Sequence, residues 1–228
     1  MKTINEVSPI LITGCARSGT SLFAGIVDIC GGFGGNLSGP NKYNAKGMFE
    51  NSHIRDITEK GYLKSIGMDI LGQKPLPDTS NMMIPNNWKD QIYKVMLEEG
   101  YKDGPWYYKG AKACLIWPVW DFAFPSAKWI IVRRRSVDII DSCLNTAFMR
   151  AYDTDEGWLS WIHHHEDKFL EMFKSGLNVK QVWPERLMQG NYEQAREAIE
   201  WLGLKWDRKK VVNFIEPKLW KAAQKRGL

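Results

Sequence analysis

A glycine-bounded loop constrains the fold of this chain more than any other feature. The loop is residues 14–21, Gly-Cys-Ala-Arg-Ser-Gly-Thr-Ser, and it follows the apolar run Ile10–Ile12. Apolar residues at helical spacing come directly after it, namely Leu22, Phe23, Ile26, Val27 and Ile29. This order is typical of a strand, a phosphate-binding loop and a helix, because the glycines turn N–H groups inward and a helix N-terminus attracts anions.

One position separates this loop from the nucleoside-triphosphatase loop G-x-x-x-x-G-K-[ST]. Thr20 stands where that motif carries its lysine, and the nearest cation is Arg17 inside the loop. Without the lysine, the loop lacks the side chain that normally reaches the β- and γ-phosphates. We therefore expect a nucleotide with a single 5′ phosphate group; the alternative interpretation is an ordinary glycine-rich turn.

A second candidate anion site follows another apolar run. Trp129–Val132 is rich in β-branched residues and predicts a buried strand, which ends at three consecutive arginines, residues 133–135. Ser136 is a suitable helix N-cap, and Asp138 falls in the first helical turn. Three arginines alone would indicate a solvated basic turn. At the end of a strand they favour phosphate binding, because guanidinium groups present a planar fork of donors.

The remaining patterns predict alternating strands and helices. We expect strands at residues 8–13, 106–109, 129–133 and 179–183, and helices at residues 19–30, 51–66, 88–99, 111–123, 136–149, 156–175, 191–203 and 208–224. Residues 36–49 are expected to be irregular, and the proline-rich stretch 72–87 is expected to be a loop or mobile flap. Such alternation predicts an α/β fold with a parallel sheet covered on both faces, and ligands bind at the carboxyl ends of its strands.

Both candidate anion sites resemble motifs of sulfotransferases that use 3′-phosphoadenosine 5′-phosphosulfate (PAPS). Residues 14–21 resemble their 5′-phosphosulfate loop. Arg134, Asp138 and Ser142 match a second motif, in which an arginine follows a strand and a serine lies eight residues further on. The family often has proline where Ser136 stands. The resemblance implies a three-layer P-loop-type α/β fold, with a central parallel sheet flanked by helices and a single domain over residues 1–228.

Further segments extend the resemblance over nearly the whole chain. Residues 106–120 resemble a W-x-x-K-D-P-R stretch of bacterial sulfotransferases, with Lys109 at the lysine position. Gly110 and Ala111 replace Asp-Pro there, and Lys112 replaces the arginine, so the turn chemistry differs. Residues 201–204 and 214–219 look like the closing segments of the family. The match is weakest at residues 60–100.

The resemblance implies transfer of a sulfuryl group from PAPS to a hydroxyl or amine acceptor, giving PAP, with no metal. The residues implied in cofactor binding are Gly14, Arg17, Ser18, Gly19, Thr20, Ser21, Arg134 and Ser142. Arg17 and Lys109 would also neutralise charge on the moving sulfuryl group and the leaving phosphate. The implied acceptor is a small molecule or a carbohydrate; the sequence does not predict its identity or the oligomeric state.

The acceptor also needs a proton acceptor near the loop. Residues 47–50 resemble the G-x-[FW]-E segment of related bacterial sequences, which favours Glu50 as the base, with His53 as the second candidate. Glu50 could instead be a helix N-terminal charge. The run His163–His165 is not expected to bind metal, because adjacent helical side chains point about 100° apart.

Composition is that of a soluble globular protein. The net charge of +5 is too modest to indicate nucleic acid as a partner. The four cysteines lack C-x-x-C spacing, which predicts a reduced chain, and no apolar run is long enough for a membrane span. A cytoplasmic location is therefore expected.

Two other functions remain open at the level of sequence. One is a non-catalytic PAP- or nucleotide-binding module, which the changed turn at Gly110 and Ala111 allows. The other is a P-loop small-molecule kinase, against which the missing loop lysine argues.

Overall fold

A four-stranded, all-parallel sheet forms the centre of the protein in the computed structural model, which describes residues 7–221. The strands, in chain order, are β1 (Ile10–Thr13), β2 (Tyr107–Lys109), β3 (Lys128–Val132) and β4 (Asn178–Val182). Their order in the sheet is β2-β1-β3-β4, and Ile12 pairs with Lys109 on one side and Ile130 on the other. The expected α/β fold with a parallel sheet is confirmed.

Helices connect the strands and cover both faces of the sheet. They are α1 (Thr20–Ile29), α2 (Ser52–Arg55), a π-helical turn (Asp56–Lys60), α3 (Gly61–Ser65), α4 (Trp88–Glu98), α5 (Trp117–Ala123), α6 (Ser136–Leu144), α7 (Asp155–Lys174), α8 (Glu185–Met188), α9 (Glu193–Trp201) and α10 (Arg208–Phe214). Short 3-10 helices cover Thr79–Asn81, Ala113–Ile116 and Pro217–Leu219. None of the helices within residues 7–221 combines the length and apolar character needed to cross a bilayer.

Two hydrophobic clusters lie on opposite faces of the sheet. Leu11 and Trp129 belong to the cluster that contacts α4, α5 and α7. Ile12 and Ile130, their neighbours along each strand, belong to the cluster with α1, α9 and α10. Because successive strand residues point to opposite faces, continuous apolar strands bury both faces, and the result is the expected three-layer arrangement.

Two helices end earlier than the sequence pattern predicted. The helix expected at 208–224 ends at Phe214, because Glu216 precedes Pro217 and has extended backbone with φ −130° and ψ 92°. Residues 222–224 of that prediction lie outside the described residues. The helix expected at 136–149 ends at Leu144, where the Asn145 and Thr146 side chains bond to the carbonyls of the last turn.

The segment predicted as a loop or mobile flap, residues 72–87, is a loop tied to the body of the protein. The Trp161 indole donates to the carbonyl oxygen of Gly72 at 2.9 Å. The Gln73 side chain donates to the carbonyl oxygen of Phe148 at 2.7 Å, and the Thr79 hydroxyl bonds to Glu171 at 2.7 Å. These contacts fix one wall of the cleft described below.

The close approach of α1 and α10 gives a stability prediction. A Cβ at Gly25 would lie 2.5 Å from Cζ of Phe214 and 3.0 Å from Cε2 of Phe49. We expect Gly25→Ala to lower the free energy of unfolding by about 1–3 kcal/mol, because overpacking outweighs the gain in helix propensity.

Urea denaturation measures this change, with Gly39→Ala as the matched control. A Cβ at Gly39 would meet no atom within 4 Å, so its effect should stay within about 0.5 kcal/mol. A Gly25→Ala protein as stable as the unchanged one would contradict the tight contact between α1 and α10.

Candidate active site

A cleft with a volume of about 830 Å³ opens at the carboxyl ends of β1, β2 and β3. Its walls are the loops after these strands, the end of α6, and parts of the segments 42–50, 71–73 and 216–221. Ligands of open parallel sheets bind at this edge, so the cleft is the candidate active site.

The loop between β1 and α1 has a backbone that requires glycine at two positions. Gly14 has a φ of +153°, and a Cβ on it would lie 2.4 Å from the carbonyl oxygen of Val132. Gly19 has a φ of +99°, and its Cβ would lie 2.9 Å from the Trp220 ring. Arg17, between them, also has a positive φ, 72°. Turns of this kind gather backbone N–H groups into an anion-binding nest.

Several donors of this loop are available for a ligand. Gly19 is the N-cap of α1 and has no side chain to bond to the first N–H groups of the helix, at Thr20 and Ser21. The Ser18 hydroxyl is buried within the loop and does not line the cleft, and it finds no hydrogen-bond partner within residues 7–221. A buried donor without a partner costs about 1–3 kcal/mol, which an anion bound in the loop would offset.

The two motifs predicted to bind phosphate meet in this cleft. The Arg17 Nε donates to the Ser142 Oγ at 3.0 Å, and an Arg134 Nη donates to the carbonyl oxygen of Arg17 at 2.8 Å. Burial lowers the pKa of both guanidinium groups from its usual value. Two partly desolvated cations side by side favour a bound anion.

Trp220 closes the same end of the cleft. Its ring lies 4.3 Å below the Arg134 guanidinium, and the Arg134 side chain also bonds to the carbonyl oxygen of Lys221. The Arg134 Nε is buried and has no hydrogen-bond partner among the described residues. The cation is thus held by an aromatic face and backbone oxygens, and it keeps a donor for a ligand.

An ion pair between Lys109 and Glu50 forms part of the cleft wall. The Lys109 Nζ lies 3.0 Å from the Glu50 Oε2, and the two side chains are 3% and 8% exposed. Burial by itself raises the pKa of Glu50, but Lys109 and the neighbouring cations outweigh it, so the pKa lies below its usual value. Glu50 is therefore a carboxylate at neutral pH.

The backbone before α2 determines where Glu50 points. Gly47 and Phe49 have positive φ values of 113° and 49°, and the Phe49 ring packs against Phe214 with ring centres 5.7 Å apart. The Asn51 side chain accepts from the N–H of Ile54 and caps α2. Glu50 thus lies before the helix begins, and its side chain reaches the cleft.

His53, the second candidate base, lies elsewhere. Its side chain is 65% exposed, and its Nδ1 lies 2.7 Å from a Glu99 oxygen. It is not among the residues that line the cleft. The helical turn after Asn51 carries it away, so the structure brings Glu50, Lys109 and Arg17 to one site and leaves His53 outside.

A second buried ion pair lies behind the first. The Lys112 Nζ lies 3.2 Å from a Glu59 oxygen, and Glu59 is fully buried in the π-helical turn. A Cβ at Gly110 would lie 1.9 Å from the Glu59 Oε1. Glycine at position 110 thus makes room for the carboxylate that pairs with Lys112.

Sequence reasoning missed four residues around the cleft: Tyr43, Glu59, His165 and Trp220. Tyr43 lies in an irregular segment, and Trp220 lies within the helix predicted at 208–224, which ends at Phe214. Glu59 carries no local signal, since its partner lies far along the chain. Of the four, only Trp220 has a sequence feature that indicates a binding site, because it is an aromatic residue beside a basic tail.

The histidine run does not gather at one point. The His165 Nδ1 bonds to the carbonyl oxygen of Trp161 at 2.8 Å, and burial lowers the pKa of His165 to about 4. Within residues 7–221, no three His, Cys, Asp or Glu side chains are grouped so that they could hold a metal ion.

No family model matches the sequence, and no curated protein matches it. Several solved structures, in contrast, match the fold of this chain. The sulfotransferase domain of the Synechococcus PCC 7002 olefin synthase superposes with a TM-score of 0.59 at 17% identity, over 97% of this chain and 90% of that chain. The sulfotransferase domain from the curacin biosynthetic pathway gives a TM-score of 0.55 at 13% identity, over 95% and 81% of the two chains.

A third solved structure agrees with these two. The sulfotransferase STF9 from Mycobacterium avium superposes with a TM-score of 0.52 at 13% identity, over 91% of this chain and 67% of that chain. Identities this low establish the arrangement of helices and strands and no finer property. The likeness and the all-parallel sheet together show that this chain has the fold of the sulfotransferases.

Proposed function

We propose that this protein is a PAPS-dependent sulfotransferase, which transfers a sulfuryl group to a hydroxyl or amine acceptor and releases PAP. The observation that carries the proposal is the meeting of two phosphate-type motifs in one cleft, where the Arg17 Nε donates to the Ser142 Oγ at 3.0 Å. The solved proteins that share the fold are described as sulfotransferases, which supports the proposal.

The two motifs would hold the two phosphate groups on the ribose of the donor. The loop N–H groups and the hydroxyls of Ser18, Thr20 and Ser21 suit the 5′ group. Arg134 and Ser142 suit the 3′-phosphate, since a guanidinium fork matches phosphate oxygens. Ser18 Oγ and Arg134 Nε are buried donors without a hydrogen-bond partner among the described residues, and phosphate oxygens of such a ligand would accept from them. PAPS supplies a sulfuryl group already activated by phosphate, so the chain supplies position, charge and a proton acceptor.

Arg17 and Lys109 are cations of the cleft wall at the edge of the sheet where transfer is expected. Arg17 lies in the phosphate loop, and Lys109 ends β2 at the same edge of the sheet. Fixed cations in a water-poor site stabilise charge that develops during transfer, without reorganising at that moment. We assign them to the leaving phosphate and the moving sulfuryl group.

Glu50 is our proposed proton acceptor. It is a buried carboxylate in the cleft wall, and its partner Lys109 is one of the assigned cations. As negative charge grows on the leaving group, it repels the Glu50 carboxylate, while Lys109 keeps its place. The pKa of Glu50 then rises while the acceptor loses its proton, so the two events are coupled.

The same ion pair favours a second candidate function, a non-catalytic PAP-binding module. A carboxylate held by Lys109 at 3.0 Å with a lowered pKa is a weak base. In that case the cleft would bind PAP and transfer nothing. The variants below separate the two functions.

The first prediction concerns the 3′-phosphate. PAP should bind about 10- to 100-fold more tightly than 5′-AMP, because charge-assisted hydrogen bonds to phosphate contribute about 1.5–3 kcal/mol. Calorimetric titration measures both affinities. Arg134→Gln should abolish most of the difference.

Arg135→Gln is the matched control for Arg134→Gln. Arg135 is the adjacent arginine, and its guanidinium pairs with Asp138 instead of facing the cleft. It should leave the preference for PAP intact. Equal affinities of the unchanged protein for PAP and 5′-AMP would rule out the assignment of Arg134 and Ser142.

The second prediction concerns Arg17. Arg17→Ala should lower the single-turnover rate by about 10²-fold or more, because it removes a cation aimed at developing charge. PAP affinity should fall less than the rate, since such groups act mainly on the transition state. Arg17→Lys should recover part of the rate. A large loss of PAP affinity with an unchanged rate would contradict this role.

The third prediction concerns the base. Glu50→Gln should lower the rate by about 10²–10⁴-fold and keep PAP binding, because the amide keeps the shape and cannot accept the proton. In the unchanged protein, the rate should fall only as the pH drops below 4.5, the usual pKa of the group, because the pKa of Glu50 is lowered.

The comparison for Glu50→Gln is His53→Asn, whose site is exposed and outside the cleft. His53→Asn should lower the rate much less than Glu50→Gln does. Thermal melting of both variants tests whether they fold. A folded Glu50→Gln protein with an unchanged rate would exclude Glu50 as the base, and a protein that binds PAP and transfers to no screened acceptor would support the non-catalytic module.

A further inference from the structure

The cleft continues past the phosphate loop into a part with apolar walls. The side chains that form these walls come from four separate segments: Tyr43, Leu71, Phe148, Met149 and Trp161. We propose that this acceptor chamber receives a small aromatic alcohol, a phenol, whose hydroxyl oxygen takes the sulfuryl group. The proposal rests on the function proposed above and names its acceptor class.

Aromatic rings make up much of the acceptor chamber. The ring centres of Tyr43 and Phe148 are 5.0 Å apart with their planes at 90°, an edge-to-face contact. This contact joins the irregular segment before Glu50 to the loop after α6. Trp161 and Met149 are almost completely buried in the wall. A flat ring that enters such a space gains further edge and face contacts, beyond the burial of its apolar area.

Two polar side chains of the chamber walls, Gln73 and the Trp161 indole, are already bonded within the protein. The Gln73 Oε1 accepts from the N–H groups of Arg150 and Ala151 at 2.9 and 3.1 Å. The Gln73 Nε2 donates to the carbonyl oxygen of Phe148, and the Trp161 indole donates to that of Gly72. Their hydrogen bonds serve the fold, so they present mainly apolar surface to a ligand.

This bonding disfavours a sugar as the acceptor. A sugar ring brings several hydroxyls, and each one that leaves water without finding a new partner costs about 1–3 kcal/mol. Gln73 and Trp161 offer no such partner, because their hydrogen bonds are used within the protein. An acceptor with a single hydroxyl on an apolar body avoids this cost, because that hydroxyl lies at the point of transfer.

The acceptor chamber opens beside the proposed point of transfer. A Cβ at Gly72 would lie 2.8 Å from Cγ of Lys112, which places the chamber wall against the loop that carries Lys109. On the other side, Tyr43 lies close enough to Arg17 to influence its pKa, although burial has the larger effect. A ring in the chamber can therefore present its hydroxyl to the region between Arg17 and Lys109.

The acidity of the acceptor separates a phenol from an aliphatic alcohol. Cations around Glu50 hold its pKa below the usual value, so it is a weak base. A phenol loses its proton near pH 10, whereas an aliphatic hydroxyl resembles water, whose pKa is about 15.7. A weak base suits the more acidic hydroxyl.

In the transfer step, the phenol oxygen bonds to sulfur, and the bond from sulfur to the bridging phosphate oxygen breaks. PAP leaves with that electron pair, and the proton of the phenol goes to Glu50.

Three probe alcohols test the proposal: 2-naphthol, its saturated analogue decahydro-2-naphthol, and methyl glucoside. Calorimetry measures their binding to the free protein and to the PAP-loaded protein, and sulfated product is measured with PAPS. We expect 2-naphthol to bind at least tenfold more tightly than methyl glucoside, and to accept sulfate at least tenfold faster than the saturated analogue. Methyl glucoside binding as tightly as 2-naphthol, or equal rates of sulfation for 2-naphthol and decahydro-2-naphthol, would overturn the proposal.

A pair of phenylalanine variants locates the binding. Phe148→Ala should weaken 2-naphthol binding about tenfold, because it removes a ring that packs on the ligand, and should leave PAP affinity unchanged. Phe122→Ala is the matched control, since Phe122 is 61% exposed on α5 and does not line the cleft. Equal 2-naphthol affinities for the two variants would exclude the acceptor chamber as the binding place.

The design separates the two proposals. Tight PAP binding with no binding of 2-naphthol would refute the phenol acceptor and leave the donor assignment standing. Binding of 2-naphthol by a protein that does not bind PAP would refute the sulfotransferase function and leave the apolar chamber standing.

Discussion

The buried ion pair between Lys109 and Glu50 is the interaction on which the site depends. It joins the end of β2 to the irregular segment before α2, two parts of the chain that are 59 residues apart. Taking two charges out of water is costly, and removing one partner of such a pair leaves a buried charge at a cost of about 3–5 kcal/mol. We therefore expect the two residues to be buried in the cleft wall only as a pair, because either charge alone would be too costly to bury.

The cations of the cleft are arranged in two groups with different partners. Lys109 and Lys112 each face a carboxylate, Glu50 and Glu59, at 3.0 and 3.2 Å. Arg17 and Arg134 instead bond to a serine hydroxyl and to backbone oxygens, which leaves their charge uncompensated by these contacts. Arg17 and Arg134 are the pair that the proposed function assigns to the anionic donor.

The sequence predicted the parts of the site that local rules determine. Glycines at 14 and 19 are needed for positive φ values, and apolar runs without polar alternation are needed for strands buried on both faces, so the loop, the sheet and the edge where ligands bind could all be predicted. Glu50 and His53 could not be separated in this way, because they differ by three positions. Their opposite placement comes from Asn51, which caps α2 between them.

Residues whose position depends on distant contacts could not be predicted. Trp220 reaches Arg134 because Glu216 before Pro217 ends the last helix early, and the apolar periodicity alone extended that helix. The role of Glu59 could not be predicted for the same reason, since its partner Lys112 lies on another part of the chain. Tertiary packing determines where such residues lie, and local sequence patterns do not reveal that packing.

The fit between Glu59 and Gly110 limits the substitutions that either position accepts. The space that a Cβ at position 110 would fill is occupied by a carboxylate oxygen from position 59, 1.9 Å from where that Cβ would stand. Neither position can change by itself without a clash or an uncompensated lysine at 112. A residue larger than glycine at position 110 therefore requires the Glu59 side chain to move away from Lys112 or to be replaced.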